Sequence, residues 1–224
     1  MSGYFVTATG TDIGKTFVTA GLVRAFRAAG REVAALKPVV SGLDEAAWAR
    51  SDPGVLLDAL GATATREALA RISPWRFAAP LSPDMAAARE GRTIDFDALV
   101  GFCRDAVKAA RGTLFVEGVG GVMVPLDARR TVRDWMTALG LPLVVVTGSY
   151  LGTISHTLTA LEVIARAGLK VAALVVNDSG EGAVPLAETV AALRRFADVP
   201  TATMPRAKAP AEARAAFETL AALL

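Results

Sequence analysis

Residues 4–22 read "YFVTATGTDIGKTFVTAGL". A short β-rich apolar run (4–8) gives way to a turn, and the turn to an Ala/Leu-rich segment. The turn, "GTDIGKT" (10–16), resembles a phosphate-binding loop with its spacing altered. The usual pattern is G-x-x-x-x-G-K-S/T. Counting back from Gly14, the first glycine belongs at position 9, which is Thr9, and Gly10 falls one residue late. Two readings stand at this point: a nucleotide site with a modified loop, or an ordinary strand-to-helix turn whose Lys15 and Thr16 cap the helix.

The rest of the chain supplies the context. Beta-rich runs recur at 32–37, 113–117, 141–148, 169–177 and 199–204, without strict alternation of polar and apolar residues. Such runs suit strands covered on both faces. Helix candidates lie between them, near 15–29, 51–60, 95–110, 131–139, 153–167, 184–196 and 209–223. Alternating strands and helices imply a parallel sheet with right-handed crossovers. The fold class expected is therefore α/β: one doubly wound, mostly parallel sheet over residues 1–224, with helices on both faces, of the P-loop type. Residues 38–94 are the weakest stretch, with five of the 11 prolines and only short helical pieces. Long irregular segments of this kind are often functional.

Composition bounds the function. The chain has 224 residues, 53% hydrophobic and 21% charged, which fits a well-buried core. A net charge of +2 is too balanced to imply nucleic acid or a membrane surface as partner. One cysteine, Cys103 in "LVGFCRDAV", permits no internal disulfide and reads as a helix-packing residue. The first ten residues carry neither a basic nor a long apolar region, and no run approaches the roughly 20 residues that span a bilayer. A cytoplasmic location is expected. The single histidine, His156, has no second histidine or clustered thiol, so it reads as a packing or interface residue rather than a zinc ligand.

In this layout the loop follows a predicted strand and enters a predicted helix, where backbone N–H groups and the helix N-terminus favour an anion. Gly14 admits close approach of a phosphate, Lys15 reaches phosphate oxygens, and Thr16 offers a hydroxyl to Mg²⁺. Three further stretches carry polar groups at strand ends, where ligands gather in open α/β sheets. "ALKPVVSG" (35–42) places Lys37 and then Ser41 there, although a lysine so placed is ordinarily just solvated. "TLFVEGVGGVMVPL" (113–126) ends a strand in Glu117, like a Walker B carboxylate, before Gly118, Gly120 and Gly121. Asp52 in "ARSDPG" is a second candidate carboxylate; alone it reads as a cap or turn. "LVVNDSG" (174–180) ends in Asn177 and Asp178, and an amide there can pair with an adenine edge. By itself it reads as an Asx turn.

Taken together and in order, these segments resemble the dethiobiotin synthetases, ATP-dependent enzymes of biotin biosynthesis. The resemblance runs through "FVTATGTDIGKT" (5–16), "KPVVSG" (37–42), "RSD" (50–52), "FAAPLSP" (77–83), "AAAREGR" (86–92), "FVEGVGGVMVPL" (115–126), "DWMTALGLPLVVV" (134–146), "LGTISHTLTALEVI" (151–164) and "VVND" (175–178). Family members often carry glycine at Ala8 and glutamate at Asp12, and Gly10 is expected to supply the backbone freedom that Ala8 lacks.

The resemblance implies roles residue by residue. Lys15 contacts ATP phosphates, with Asp12, Ile13, Gly14 and Phe17 alongside. Thr16, Asp52 and Glu117 hold Mg²⁺. Lys37 is the active-site lysine, and Thr11 and Ser41 lie near the substrate. Gly118, Val119 and Gly120 form a backbone ligand loop, Asn177 with Asp178 meets the adenine, and Pro205, Arg206 and Ala207 form a second nucleotide-side loop. It also implies 7,8-diaminononanoate and CO₂ or bicarbonate as substrates, ATP as co-substrate, a ligase closing a ureido ring, and a homodimer in which "SYLGTISH" (149–156) is the partner's contribution. Two relatives of similar fold stand as alternatives. A ParA/MinD-type ATPase switch normally has an extra lysine near the loop start, where this chain has Thr9, Gly10 and Thr11. A cobyrinate-type synthetase would need a glutaminase domain with a nucleophilic cysteine.

Overall fold

The computed structural model describes residues 2–180, 184–206 and 209–224. Its elements in chain order are β1 (Ser2–Ala8), α1 (Lys15–Ala28), β2 (Val33–Leu36), β3 (Val39–Ser41), α2 (Asp52–Ala59), α3 (Arg66–Ile72), β4 (Trp75–Phe77), α4 (Pro83–Arg89) and α5 (Phe96–Ala109), followed by β5 (Thr113–Glu117), α6 (Val132–Leu139), β6 (Leu143–Gly148), α7 (Thr153–Arg166), β7 (Val171–Asn177), α8 (Leu186–Arg194), β8 (Thr201–Met204) and α9 (Pro210–Ala221). The main sheet runs in the order β2-β5-β1-β6-β7-β8, and every pairing in it is parallel. All five residues of β5 and all six of β6 are buried, so helices cover both faces, as the non-alternating runs predict.

The chain leaves β1 for β2 on one side and reaches β6 on the other, so β1 sits where the strand order reverses. Loops at the carboxyl ends of strands open a crevice at such a point. Trp135 of α6 meets Phe5 of β1 edge to face at 4.8 Å, and Phe26 of α1 meets Phe115 of β5 at 5.3 Å. These rings fix α6 and α1 against the central strands.

Helix ends follow their capping chemistry. Thr131 and Asp134 form a reciprocal capping box at the start of α6, and Gly140 closes it in the left-handed region at φ 64. The Asp95 side chain caps α5 by accepting from the Ala98 N–H at 2.9 Å. By contrast α1 and α7 begin after Gly14 and Gly152, both at φ 96, with no side-chain cap; the first N–H of α7, on Thr153, donates instead to the Tyr150 carbonyl at 3.0 Å.

Residues 38–94 hold more structure than the sequence indicates. Beta3 and β4 form a separate two-stranded parallel sheet, and α3 and α4 are short helices of seven residues each. Cys103 is buried on α5, in line with its packing role, and burial pushes its thiol up to about 12. It should therefore resist alkylation at pH 8 in the native state and react fully in denaturant, which a timed thiol-reagent assay checks. His156 departs from the packing reading: it is exposed, and its Nδ1 lies 2.9 Å from the Tyr150 hydroxyl. Among the described residues, no helix is long and apolar enough to cross a membrane.

Candidate active site

Strand register explains how the central charges meet. In the β2–β5 pairing Leu36 stands beside Val116, so the next residues, Lys37 and Glu117, are level at the carboxyl ends of adjacent strands. Parallel neighbours are about 4.8 Å apart, within reach of a lysine and a glutamate. The Lys37 ammonium lies 2.8 Å from Glu117 Oε1, 2.8 Å from the Gly118 carbonyl and 3.0 Å from Asp52 Oδ2. Those three acceptors use all three of its donors.

Thr16, in the first turn of α1, donates its hydroxyl to Glu117 Oε1 at 2.6 Å. Asp52 opens α2 with its side chain half-exposed. Glu117 is fully buried, and its second oxygen, Oε2, has no hydrogen-bond partner. A buried carboxylate oxygen left unpaired costs free energy unless something else satisfies it. Thr16, Asp52 and Glu117 supply hard oxygen donors in one place, the donor set that Mg²⁺ prefers.

Burial pulls the Lys37 ammonium down, yet Glu117 and then Asp52 more than offset this and hold it above the usual lysine range. Asp52 is pushed up by desolvation, but Lys37 carries it below the ordinary aspartate value. Lys15 differs from both. It is the first residue of α1 and is buried, not on a surface loop, and burial with the nearby Lys37 charge lowers it to about 8. Its ammonium donates to the Gly10 carbonyl at 3.2 Å, folding back on its own loop.

The loop takes its shape differently from expectation. Gly10 does not adopt positive φ; Asp12 (φ 58) and Gly14 (φ 96) do. The left-handed turn thus falls next to the helix, where an aspartate tolerates it better than most side chains. Asn177, at the end of β7, donates its Nδ2 to the Ile13 carbonyl at 2.8 Å. A Cβ at Gly14 would lie 2.2 Å from that nitrogen, so glycine is required there by contact as well as by φ.

Two clefts meet at this loop and share Thr11, Asp12 and Val124. One, of about 730 Å³, is lined by Lys15, Thr16, Lys37, Ser41, Asp52 and Gly120, with Val119 at its wall. The other, of about 840 Å³, is mostly apolar, with Val122, Met123, Pro125, Ala160 and Val163 opposite Thr9. Phe17 is half exposed and packs on Phe217 at 5.2 Å. Asp178 accepts from the Gly180 N–H at 2.9 Å and from the Arg206 N–H at 3.5 Å, which brings Pro205 and Arg206 beside Asn177. Ala207 lies outside the described residues.

Sequence reasoning missed several groups at these clefts. Pro80, Leu81 and Ser82 line the smaller cleft opposite the loop, yet their stretch has no periodicity to place it there. Ser149 and Ser179 exchange reciprocal bonds, each backbone N–H donating to the other's hydroxyl at 3.0 and 3.1 Å, and so tie the ends of β6 and β7 together. They are 30 residues apart, and no local pattern signals the pair.

Residues 2–206 match the family described as an AAA domain. Among curated proteins, the chain is similar to an ATP-dependent dethiobiotin synthetase BioD of Acidiphilium cryptum, 53% identical over 196 residues, covering 87% of this chain and 88% of the relative. A protein of the same name from Phenylobacterium zucineum is 48% identical over 225 residues, 99% of this chain and 96% of the relative. Among solved structures, the septum site-determining protein MinD of Pyrococcus horikoshii, complexed with Mg-ADP, aligns with TM-score 0.60 at 17% identity, over 98% of this chain and 94% of that one. Cobyrinic acid a,c-diamide synthase of Mycobacterium smegmatis aligns with TM-score 0.58 at 13% identity, over 99% and 93%. These two share the fold.

Proposed function

The chain belongs to the ATP-dependent dethiobiotin synthetase family, and we propose that it carboxylates 7,8-diaminononanoate and closes the ureido ring, giving dethiobiotin, ADP and phosphate. The observation that carries the reading is the meeting of Lys37 and Thr16 on the buried Glu117, with Asp52 held on Lys37, beside a phosphate loop and next to an apolar cleft. The relatives at about half identity favour this chemistry over a MinD-type switch or a cobyrinate-type synthetase, which resemble the chain at fold level only.

ATP places its phosphates against the N–H groups of the loop and of α1, where the helix dipole favours anions. Lys15 leaves the Gly10 carbonyl and takes the phosphates. Asn177, already held on the loop, turns its remaining donor and its Oδ1 to the adenine, with Asp178, Pro205 and Arg206 beside it. Thr16, Asp52 and Glu117 would hold Mg²⁺, and the unpaired Glu117 Oε2 fits that role. When bound, the cation neutralises phosphate charge and orients the transferred group.

The alkyl chain of the diamine suits the apolar cleft, with its amines toward Thr11, Ser41 and the backbone of Gly118, Val119 and Gly120. One amine adds to CO₂ and loses a proton to give a carbamate. A carbamate oxygen attacks the γ-phosphorus and ADP leaves, forming a carbamic–phosphoric anhydride. The second amine attacks the carbonyl, loses a proton and expels phosphate. Carbamate and triphosphate repel, so the residues' task is positioning and charge neutralisation. Lys37, released from Asp52, faces both anions, and this accounts for a second buried lysine. The reading extends to a homodimer in the cytoplasm, in which residues 149–156 complete the partner's site. Leu151, 91% exposed in that segment, is an apolar side chain that such an interface would cover.

The test is isotopic. ATP cleavage should require both diamine and bicarbonate, and oxygen-18 supplied in bicarbonate should appear in released phosphate under rapid mixing. Steady ATP hydrolysis without diamine would favour the switch reading, and label-free phosphate would exclude the anhydride route.

A further inference from the structure

We propose that the Thr9 hydroxyl is a specificity-determining acceptor for an N–H of the diamine, its polarity fixed by a buried array of threonines behind it. The inference rests on the functional reading above and goes beyond it, since it assigns a residue outside the lysine–carboxylate cluster.

Thr9 is half-buried and lines the larger cleft two residues from Thr11, where the two clefts join and the amines are placed. Its hydroxyl is 3.1 Å from that of Thr147, at the end of β6. Thr147 lies 3.0 Å from the Thr153 hydroxyl and 2.8 Å from the Thr157 hydroxyl, both on α7. Each hydroxyl has one proton. Thr153 donates its own to the Gly148 carbonyl at 2.7 Å, and Thr157 donates to the Thr153 carbonyl at 2.7 Å. Both therefore offer Thr147 only lone pairs, and the Thr147 proton is committed to them. Thr147 can only accept from Thr9. Thr147, Thr153 and Thr157 are at most 1% exposed, so water cannot reverse the arrangement. The Thr9 proton points inward, and its lone pairs remain for the cleft. Among the described residues, Thr147 is the hydrogen-bond partner of that hydroxyl.

An acceptor at this place suits a nucleophilic amine. It takes an N–H and leaves the nitrogen lone pair free to attack. A donor would engage that lone pair. A carbonyl oxygen brought to the same place would face oxygen lone pairs with no proton between them. The threonine array thus selects an amine over a ketone at one of the two vicinal positions. An array that served only to join the loop to β6 and α7 would leave ligand selectivity unmoved.

The experiment is calorimetric titration of the full chain, with Mg²⁺ and a non-hydrolysable ATP analogue present. The ligands are 7,8-diaminononanoate and the two amino ketones that carry a carbonyl in place of one vicinal amine. Thr147→Val preserves shape and frees the Thr9 proton to turn outward. The diamine should bind it a few-fold more weakly than wild type, since the Thr9 hydroxyl can still accept but is no longer held in that orientation. One amino ketone should bind no worse, so the selectivity ratio for that pair falls by roughly the same factor. Thr147→Ser should restore wild-type selectivity. A parallel loss for all three ligands, unchanged selectivity in Thr147→Val, or failure of Thr147→Ser to restore it would overturn the assignment. Wild-type protein that binds the ATP analogue but no diamine would overturn it together with the functional reading.

Discussion

A Lys15→Ala variant is expected to lose about 10²–10³ of turnover, the usual effect of deleting one charge-stabilising donor from a shielded site. The fold should not suffer. The Lys15 ammonium is buried with one long bond, to the Gly10 carbonyl at 3.2 Å, and its value is lowered to about 8. A lysine lowered in the native state makes an unfavourable contribution that is fully present below about 8 and lifts as pH rises toward the ordinary 10.5. At pH 7 the alanine variant should therefore melt at the same temperature as wild type or higher. Loss of rate with unchanged or raised stability marks a residue kept for function. Near-wild-type turnover would sink the phosphate-loop assignment.

Lys37→Gln should reduce turnover by a comparable factor, about 10²–10³, while ATP affinity stays within a few-fold. Here stability should also fall. Glu117 is fully buried and loses its counter-ion, and breaking a buried pair from one side typically costs about 3–5 kcal/mol. The double variant Lys37→Gln with Glu117→Gln removes both charges and should recover much of the melting temperature without recovering turnover. Lys37→Arg should stay impaired, because a planar fork does not reproduce an ammonium shared among three acceptors. Turnover restored along with stability in the double variant would reduce Lys37 to a structural partner of Glu117.

The strands and helices of the main sheet were legible because they are long and buried. Beta5 runs over Thr113–Glu117, as its apolar run indicates, and α1 and α5 end within a residue of expectation. Beta3 and β4 were not legible. Each has three residues, their partners are more than 30 positions apart, and neither carries a period of its own. At the site, residue types and strand ends pointed to Lys37, Glu117 and Asp52 separately. What joins them is register, Leu36 beside Val116, and register is a property of two strands that neither sequence expresses alone. The expectation for Gly10 failed for a related reason. Positive φ falls on Asp12 and Gly14, and Gly14 is fixed by Asn177, which lies on a strand far along the chain. The threonine array depends on the same non-local arrangement.

The place of β1 in the sheet has a consequence for the birth of the protein. Beta1 leaves the ribosome well before its two neighbours in the sheet, β5 and β6. At about 5–20 residues per second, on the order of ten seconds pass before both have been translated. During that interval the phosphate loop has no walls, Lys15 has no burial to endure, and an apolar strand that ends up sealed on both faces stands open to whatever passes. Newly made copies should lean on holding chaperones early and release them only after β6 emerges. Slow codons would be tolerated after residue 148 and costly before it.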